Sequence, residues 1–220
     1  MSFAGRSGPP FMDSNDDAQR SHPVTPDLQP PAAAIAGLVA GLDDSRLDDP
    51  TPCTRYAVRD LLSHLVGLTA AFRAAGRKES GPLTDTAPGG PMPPLDPDWR
   101  LILPRQLHEL VDTWREPGAW KGVTRAGGVT LPAEIMGLVA HNELVLHGWD
   151  LARALGRDYA VDSASLETSL AFLTPAPDAG DAPDTQALFA PAVPVPTDAP
   201  LLDRVVALAG RPPAWQPSKA

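Results

Sequence analysis

The sequence has a single cysteine, Cys53, among its 220 residues. One thiol cannot close a disulfide within the chain, nor can it build a zinc site from several thiolates. Aromatic residues are also scarce, at 5% of the chain. The core must therefore be built mainly from Ala, Leu and Val, which favours closely packed helices over a β-sandwich or a barrel. We expect an all-α protein of the cytosol.

Positive charge is in deficit, since 18 Lys and Arg face 27 Asp and Glu, for a net charge of -9. A surface of this sign cannot neutralise phosphates, so nucleic acid is not an expected partner. The one hydrophobic run that could imitate a leader, residues 32–42, is about half as long as the roughly twenty residues that span a bilayer. Acidic residues and prolines precede it in place of a basic region. We expect neither export nor membrane insertion.

Proline is abundant, with 27 residues, and its placement divides the chain. Residues 1–31 mix prolines with Gly, Ser and Asp and have no apolar period, which predicts a disordered tail. Residues 81–97 are similarly rich in proline and glycine, which predicts a long irregular loop. Residues 157–220 predict a short Pro-rich extension that packs on the preceding domain and contains two short helices, at 163–173 and 201–209.

The central part of the chain, residues 32–156, contains four segments with helical periodicity. Apolar residues recur at spacings of three and four along each of them. The predicted helices cover residues 32–42, 58–75, 98–115 and 131–154. Because four helices of this kind commonly pack together, we predict a four-helix bundle.

Polar residues interrupt the apolar face of the fourth predicted helix. At about 100° per residue, Glu143 and His147 lie about 40° apart on one face, and Asp150 falls on the same stripe. A buried carboxylate without a partner costs several kcal/mol, and a metal ion is one adequate partner. His141 points about 160° away from His147 and is a poor co-ligand. The spacing also differs from the H-E-x-x-H motif of zinc proteases.

His64 is a third candidate ligand, because it interrupts the apolar stripe of the second predicted helix. His64, Glu143 and His147 would supply three protein ligands and leave a coordination position for water or substrate, as in catalytic zinc sites. Asp150 would then orient His147. One alternative is a metal-free helical interaction domain in which the same side chains hydrogen-bond one another. The identity of the metal also stays open, because zinc, nickel, iron and manganese all accept such ligands.

Three stretches resemble the mycothiol-dependent maleylpyruvate isomerase family, and more narrowly its actinobacterial DinB-like metal-binding branch. They are residues 51–53 (Thr-Pro-Cys), 58–67 (Val-Arg-Asp-Leu-Leu-Ser-His-Leu-Val-Gly) and 143–152 (Glu-Leu-Val-Leu-His-Gly-Trp-Asp-Leu-Ala). The closing residues 189–195, 198–201 and 210–212 (Gly-Arg-Pro) also resemble the tail of that branch. The resemblance implies a DinB-like four-helix bundle in which His64, Glu143 and His147 bind a divalent ion, usually zinc. It also implies the thiol mycothiol as cosubstrate, whose sulfur the metal binds as thiolate for attack on an electrophile.

These expectations together describe a metal-dependent and thiol-dependent transferase or isomerase that acts on a small electrophilic substrate, as a monomer or a homodimer. No catalytic residue separate from the metal ligands is expected. The thiol must come from outside the chain, because Cys53 is expected to be structural. The alternative is a non-catalytic metal-binding or regulatory bundle, in which the ion stabilises the fold or reports metal supply.

Two departures from the family pattern limit what the resemblance implies. Ala57, just before the second helix, offers no hydroxyl to cap that helix, although Asp60 can still favour its positive end. Residues 157–220 are also much shorter than the second domain of the full-length isomerase. The isomerase's own substrate is therefore not carried over to this chain.

Overall fold

The computed structural model describes residues 25–87, 92–174 and 190–217, which contain seven α-helices and one two-stranded hairpin. The helices are α1 (Gln29–Val39), α2 (Val58–Gly76), α3 (Pro82–Asp85), α4 (Trp99–Arg115), α5 (Ala133–Ala154), α6 (Ser163–Leu173) and α7 (Leu201–Leu208). A 3-10 turn covers Asp44–Arg46, and the antiparallel strands are β1 (Val123–Ala126) and β2 (Val129–Pro132). The prediction of an all-α fold is confirmed.

Four of these helices form the predicted bundle. In it, α2 packs against α4 and α5, and α1 packs against the same two helices from the other side. Each helix turns an apolar stripe inward, so that the centre is filled by aliphatic side chains with almost no exposure. The largest buried side chains include Ile35, Leu61, Leu65, Leu103, Leu110 and Leu144.

Helix α5 lies at the centre of the molecule, because it also packs against α6, which in turn packs against α7. A second apolar cluster forms there around Val145, Leu146 and Trp149 of α5. Arg153 strengthens the contact by donating from Nε to the carbonyl oxygen of Trp215, at 3.1 Å. Helix α5 is therefore shared between the bundle and the C-terminal part of the chain.

The N-terminus of α2 is capped without a hydroxyl. The backbone N–H of Ala57, the residue before the helix, donates to Asp60 Oδ2 at 3.0 Å. A carboxylate in the first turn thus makes one half of a capping box. The same carboxylate places negative charge at the positive end of the helix. The expectation that Asp60 would favour this helix end agrees with the geometry.

Several predicted boundaries differ from the structure. The first helix, expected over residues 32–42, begins at Gln29 and ends at Val39, because proline is tolerated in the first turn and Gly41 has a φ of 73° after the last turn. The fourth predicted helix begins at Ala133 instead of residue 131, because residues 131 and 132 pair in the hairpin.

Parts of three predictions lie outside the described residues: most of the predicted tail, at 1–24, the middle of the predicted loop, at 88–91, and the Pro-rich residues 175–189. Within the described part of the predicted loop, the short helix α3 was not expected. Among the described residues, no helix is both long enough and apolar enough to cross a membrane.

Candidate metal centre

The three predicted ligands come together between α2 and α5. His64 of α2 and Glu143 and His147 of α5 each offer one ligand atom, and all three atoms lie within 4.8 Å of one another. The Oε2 atom of Glu143 lies 3.1 Å from His147 Nε2 and 3.6 Å from His64 Nε2. The two imidazole rings stand edge to face, with centroids 4.8 Å apart.

Local sequence explains this convergence. Residues 143 and 147 are one helical turn apart, so both side chains leave α5 on the side that faces α2. His64 lies in the apolar stripe of α2, one turn from each of the buried Leu61 and Leu68. The packing of α2 on α5 then brings the imidazole opposite Glu143.

The centre lies at the edge of the apolar core and has one open side. His147 is buried, with 8% of its side chain exposed, whereas His64 and Glu143 keep 26% and 21%. On the side of His64, the ring of Tyr56 lies 5.3 Å away and is tilted by 37°. His64 and Glu143 are therefore accessible from solvent, whereas His147 is enclosed by protein.

Asp150 lies on that closed side and is fully buried. Its Oδ2 lies 3.0 Å from His147 Nδ1, and it accepts a hydrogen bond from Arg211 Nη2 at 3.1 Å. When His147 donates its Nδ1 proton to Asp150, its Nε2 lone pair is left for a metal ion. Asp150 therefore contacts His147 from the buried side.

Arg211 was not predicted as part of the site. It follows α7, and its contact with Asp150 spans 61 residues of sequence. Nothing in the local periodicity around Arg211 indicates that contact. A buried carboxylate such as that of Asp150 requires a hydrogen-bond donor, but the sequence does not show which arginine supplies it.

The charges of the centre favour a further cation. Burial alone would raise the pKa of Glu143, yet hydrogen bonds with His147 and His64 hold it well below its usual value. Burial would lower the pKa of His147, but its hydrogen bonds with Asp150 and Glu143 raise it to about 9. Two ionised carboxylates thus face one permanent positive charge, that of Arg211. The remaining negative charge is balanced either by a proton on His147 or by a metal ion.

The donor set itself fits a divalent transition metal. Two imidazoles and one carboxylate are the ligands of several catalytic zinc sites, and His64, Glu143 and His147 offer this set. The hydrogen bond from His147 Nδ1 to a carboxylate is the partner that metal-bound histidines usually have.

Two other residues weighed in the sequence are not among the three converging ligands. His141 is fully buried, neither ring nitrogen has a hydrogen-bond partner among the described residues, and burial lowers its pKa to about 4. It is therefore a neutral core residue. Cys53 is half-buried, and burial raises the pKa of its thiol. A protonated thiol is a weak nucleophile, which agrees with a structural role.

Comparison with known proteins identifies the relatives of this chain. Residues 28–152, more than half of the chain, match the model of the mycothiol maleylpyruvate isomerase N-terminal domain. Two uncharacterized proteins of Mycobacterium tuberculosis, from strains CDC 1551 and H37Rv, are 26% identical to it over 184 residues. These alignments cover 81% of this chain and 92% of each relative.

Two crystal structures of the mycothiol-dependent maleylpyruvate isomerase, one of them of a mutant, are also similar to this chain. The mutant is 16% identical to this chain in sequence at a TM-score of 0.48, and the other is 17% identical at a TM-score of 0.49. Each alignment covers 67% of this chain and 66% of the isomerase chain. This chain thus spans slightly less than two thirds of the isomerase's length.

Proposed function

The chain belongs to the mycothiol maleylpyruvate isomerase N-terminal domain family, and we propose that it is a metal-dependent, thiol-dependent transferase or isomerase of small electrophiles. The proposed ligands of the metal are His64, Glu143 and His147, and the proposed metal is zinc. The proposed thiol is mycothiol, which the family's name supports. The cytosol, where low-molecular-weight thiols stay reduced, is the proposed location.

One observation carries this proposal. Three ligand atoms from two helices converge within 4.8 Å on a side of the bundle that solvent can reach. Metal sites that only stabilise a fold usually close their coordination with four protein ligands, whereas catalytic sites keep a position open. The three side chains offered here, together with the partly exposed His64 and Glu143, favour the open kind of site.

The residues of the centre have different proposed roles. A divalent ion in this centre would bind a thiol sulfur as thiolate and so supply a nucleophile at neutral pH. His64 and His147 hold the ion from two helices, and Glu143 lies between them and contributes negative charge. Asp150 keeps the His147 ring in one orientation from the buried side. No side chain of this chain needs to act as the nucleophile.

The proposed substrate is defined only by its chemical class, small electrophiles that react with thiols. Maleylpyruvate, the compound in the family's name, is the first compound to test. Because this chain spans slightly less than two thirds of the crystallised isomerase, other small electrophiles that react with thiols belong in the same screen.

The test begins with metal content. Untagged wild type is compared with His64→Ala, Glu143→Gln and a matched control, His108→Ala. His108 lies on α4 with 74% of its side chain exposed and contacts Asp112. We expect about one zinc ion per chain in wild type and in His108→Ala, and none in the two site variants. Wild type that stays without metal after incubation with zinc, nickel, iron and manganese would overturn the proposal.

Activity is tested next on the zinc-loaded protein. Mycothiol and each electrophile are mixed with wild type and with Glu143→Gln, and loss of the electrophile is followed by its absorbance. Turnover that needs both the thiol and Glu143 is the expected result. A zinc-loaded wild type that turns over none of them, and unfolds when the metal is removed, would instead indicate the non-catalytic metal-binding bundle.

A further inference from the structure

We infer that Arg211, in the segment after α7, is a positioning residue of the metal centre, and that it acts through Asp150 on His147. The inference rests on the proposed function, because it concerns how a proposed metal ligand is held. It makes the C-terminal segment part of the centre, although all three proposed ligands lie in α2 and α5.

Arg211 is itself held firmly against α5. Its Nη2 donates to Asp150 Oδ2 at 3.1 Å and its Nε lies 3.4 Å from Oδ1, so the guanidinium faces both carboxylate oxygens. Its Nη1 donates to the Ala209 carbonyl at 2.9 Å, and its backbone N–H donates to Val206 at 2.9 Å. Only 11% of the side chain is exposed. Two-point contacts of this kind fix the orientation of a carboxylate as well as its position.

Asp150 passes this orientation on to His147. The same oxygen, Oδ2, accepts from Arg211 and lies 3.0 Å from His147 Nδ1. In the described part of the chain, His147 and Arg211 are the hydrogen-bond partners of this carboxylate. Fixing Oδ2 fixes the direction of the Nδ1–H bond, and this determines where the opposite nitrogen, Nε2, points. That nitrogen lies 3.1 Å from Glu143 Oε2, within the group of ligand atoms.

Loss of the guanidinium would disturb this arrangement. Asp150 is fully buried, and a buried carboxylate that loses its positive partner costs several kcal/mol. The carboxylate then shifts toward other donors or toward solvent, and the His147 ring loses its fixed acceptor. Removing such partners of metal ligands typically lowers metal affinity by about 10–100-fold.

Arg211 could instead serve only to dock the C-terminal segment on α5, and Arg153 allows the two roles to be separated. Arg153 lies on α5 one turn after Asp150 and donates from Nε to the Trp215 carbonyl at 3.1 Å. It therefore joins the same segment to the same helix. Its described hydrogen bonds do not involve Asp150 or His147.

The experiment measures zinc affinity of the full-length protein by competition with a chromophoric chelator. Wild type, Arg211→Met, Arg211→Lys and Arg153→Met are compared. We expect Arg211→Met to bind zinc about 10–100-fold more weakly than wild type. Arg211→Lys should recover part of the loss, because it keeps the charge but not the two-point contact. Arg153→Met should bind zinc as wild type does. Circular dichroism of each metal-free protein establishes that it is folded.

Coupling to Asp150 is tested in the Asp150→Asn background. If Arg211 acts through Asp150, adding Arg211→Lys to Asp150→Asn causes no further loss of affinity, because effects along one chain of contacts are not additive. This pair also decides the question if Arg211→Met does not fold. A further loss as large as that in the single Arg211→Lys variant would overturn the inference.

Other outcomes separate this inference from the proposed function. If wild type binds zinc and Arg211→Met binds it equally well, only the positioning role is overturned. If Arg153→Met weakens binding as much as Arg211→Met, Arg211 acts by docking and the inference is again wrong. If wild type binds no metal, the proposed function and this inference fail together.

Discussion

Replacing Gly137 by alanine should destabilise the protein, although alanine is the better helix former. Gly137 lies on α5 where the helix meets two buried indoles. A Cβ at this position would come within 2.7 Å of Trp114 Cζ3 and of Trp120 Cη2, and closer still to Trp120 Cζ3. Real Cβ atoms do not approach other atoms so closely, so a ring or the helix would have to shift.

Neither indole can shift without loss. The rings pack edge to face, with centroids 4.9 Å apart. Trp114 Nε1 donates to the Phe72 carbonyl at 3.0 Å, and Trp120 Nε1 donates to the Trp114 carbonyl at 2.6 Å. Both hydrogen bonds are buried, and breaking one leaves an unpaired donor that costs about 1–3 kcal/mol. Overpacking of a tight core costs a similar amount, about 1–3 kcal/mol.

The gain in helix propensity partly offsets this cost. Ala is favoured over Gly by about 1 kcal/mol inside a helix, so a clash of about 3 kcal/mol leaves a net loss of about 2 kcal/mol. For a chain of this size, each kcal/mol corresponds to about 2–4 °C in melting temperature. Gly137→Ala should therefore melt about 4–8 °C below wild type.

Gly67→Ala is the matched control. Gly67 lies on the exposed side of α2, and a Cβ there would meet nothing within 4 Å. The same substitution has a similar effect on the unfolded chain at both positions, so this control should gain about 0.5–1 kcal/mol. Urea unfolding followed by circular dichroism measures both variants. If Gly137→Ala proves as stable as Gly67→Ala, the close packing of α5 on the two indoles is wrong.

Three further predictions concern the neighbourhood of the centre. Gly148→Ala should lower the free energy of unfolding by about 1–2 kcal/mol, because a Cβ 2.7 Å from Tyr159 Oη and 3.0 Å from Cζ costs about 2–3 kcal/mol in overpacking and helix propensity offsets about 1 kcal/mol of it; urea unfolding beside Gly67→Ala checks it, and unchanged stability would contradict it. Asp60→Ala should cost about 1 kcal/mol, because the Ala57 N–H at the start of α2 loses its acceptor; Asp60→Asn, which keeps an acceptor, should lose less. Removing zinc with excess chelator should lower the melting temperature yet leave the far-ultraviolet helical spectrum intact, since the apolar core of the bundle does not include the ion; unfolding on chelation would refute it.

Of the seven helices in the described residues, all but α3 correspond to segments that the spacing of apolar residues predicted. The limits of α6 agree with the expectation, and those of α2, α4 and α7 differ from it by one residue at one end. The hairpin Val123–Pro132 was missed because its strands are short and its apolar side chains, such as Val123 and Val129, are exposed. In β1 the buried side chains are Thr124 and Ala126 while Val123 is exposed, so the alternation of burial does not coincide with an alternation of apolar and polar residues.

The candidate site could be predicted only where its residues interrupt a periodic pattern. His64, Glu143 and His147 are conspicuous because each one is a polar side chain in an apolar stripe, and the packing of α2 on α5 brings them together. Arg211 interrupts no such stripe. Its role depends on tertiary packing that brings residues 61 positions apart into contact, and helical periodicity contains no information about that distance.

The central position of α5 explains why the centre extends beyond the bundle. Glu143 and His147 face α2, whereas Val145, Leu146 and Trp149 join the apolar cluster with α6 and α7. A helix that packs on both sides must carry Asp150 between these two faces, close to His147 and yet within reach of Arg211. If Arg211 acts as inferred, loss of its contact with Asp150 would change the orientation of His147 without moving α2. The zinc affinities of the Arg211 variants test this dependence, and Arg153→Met is the control for docking of the segment.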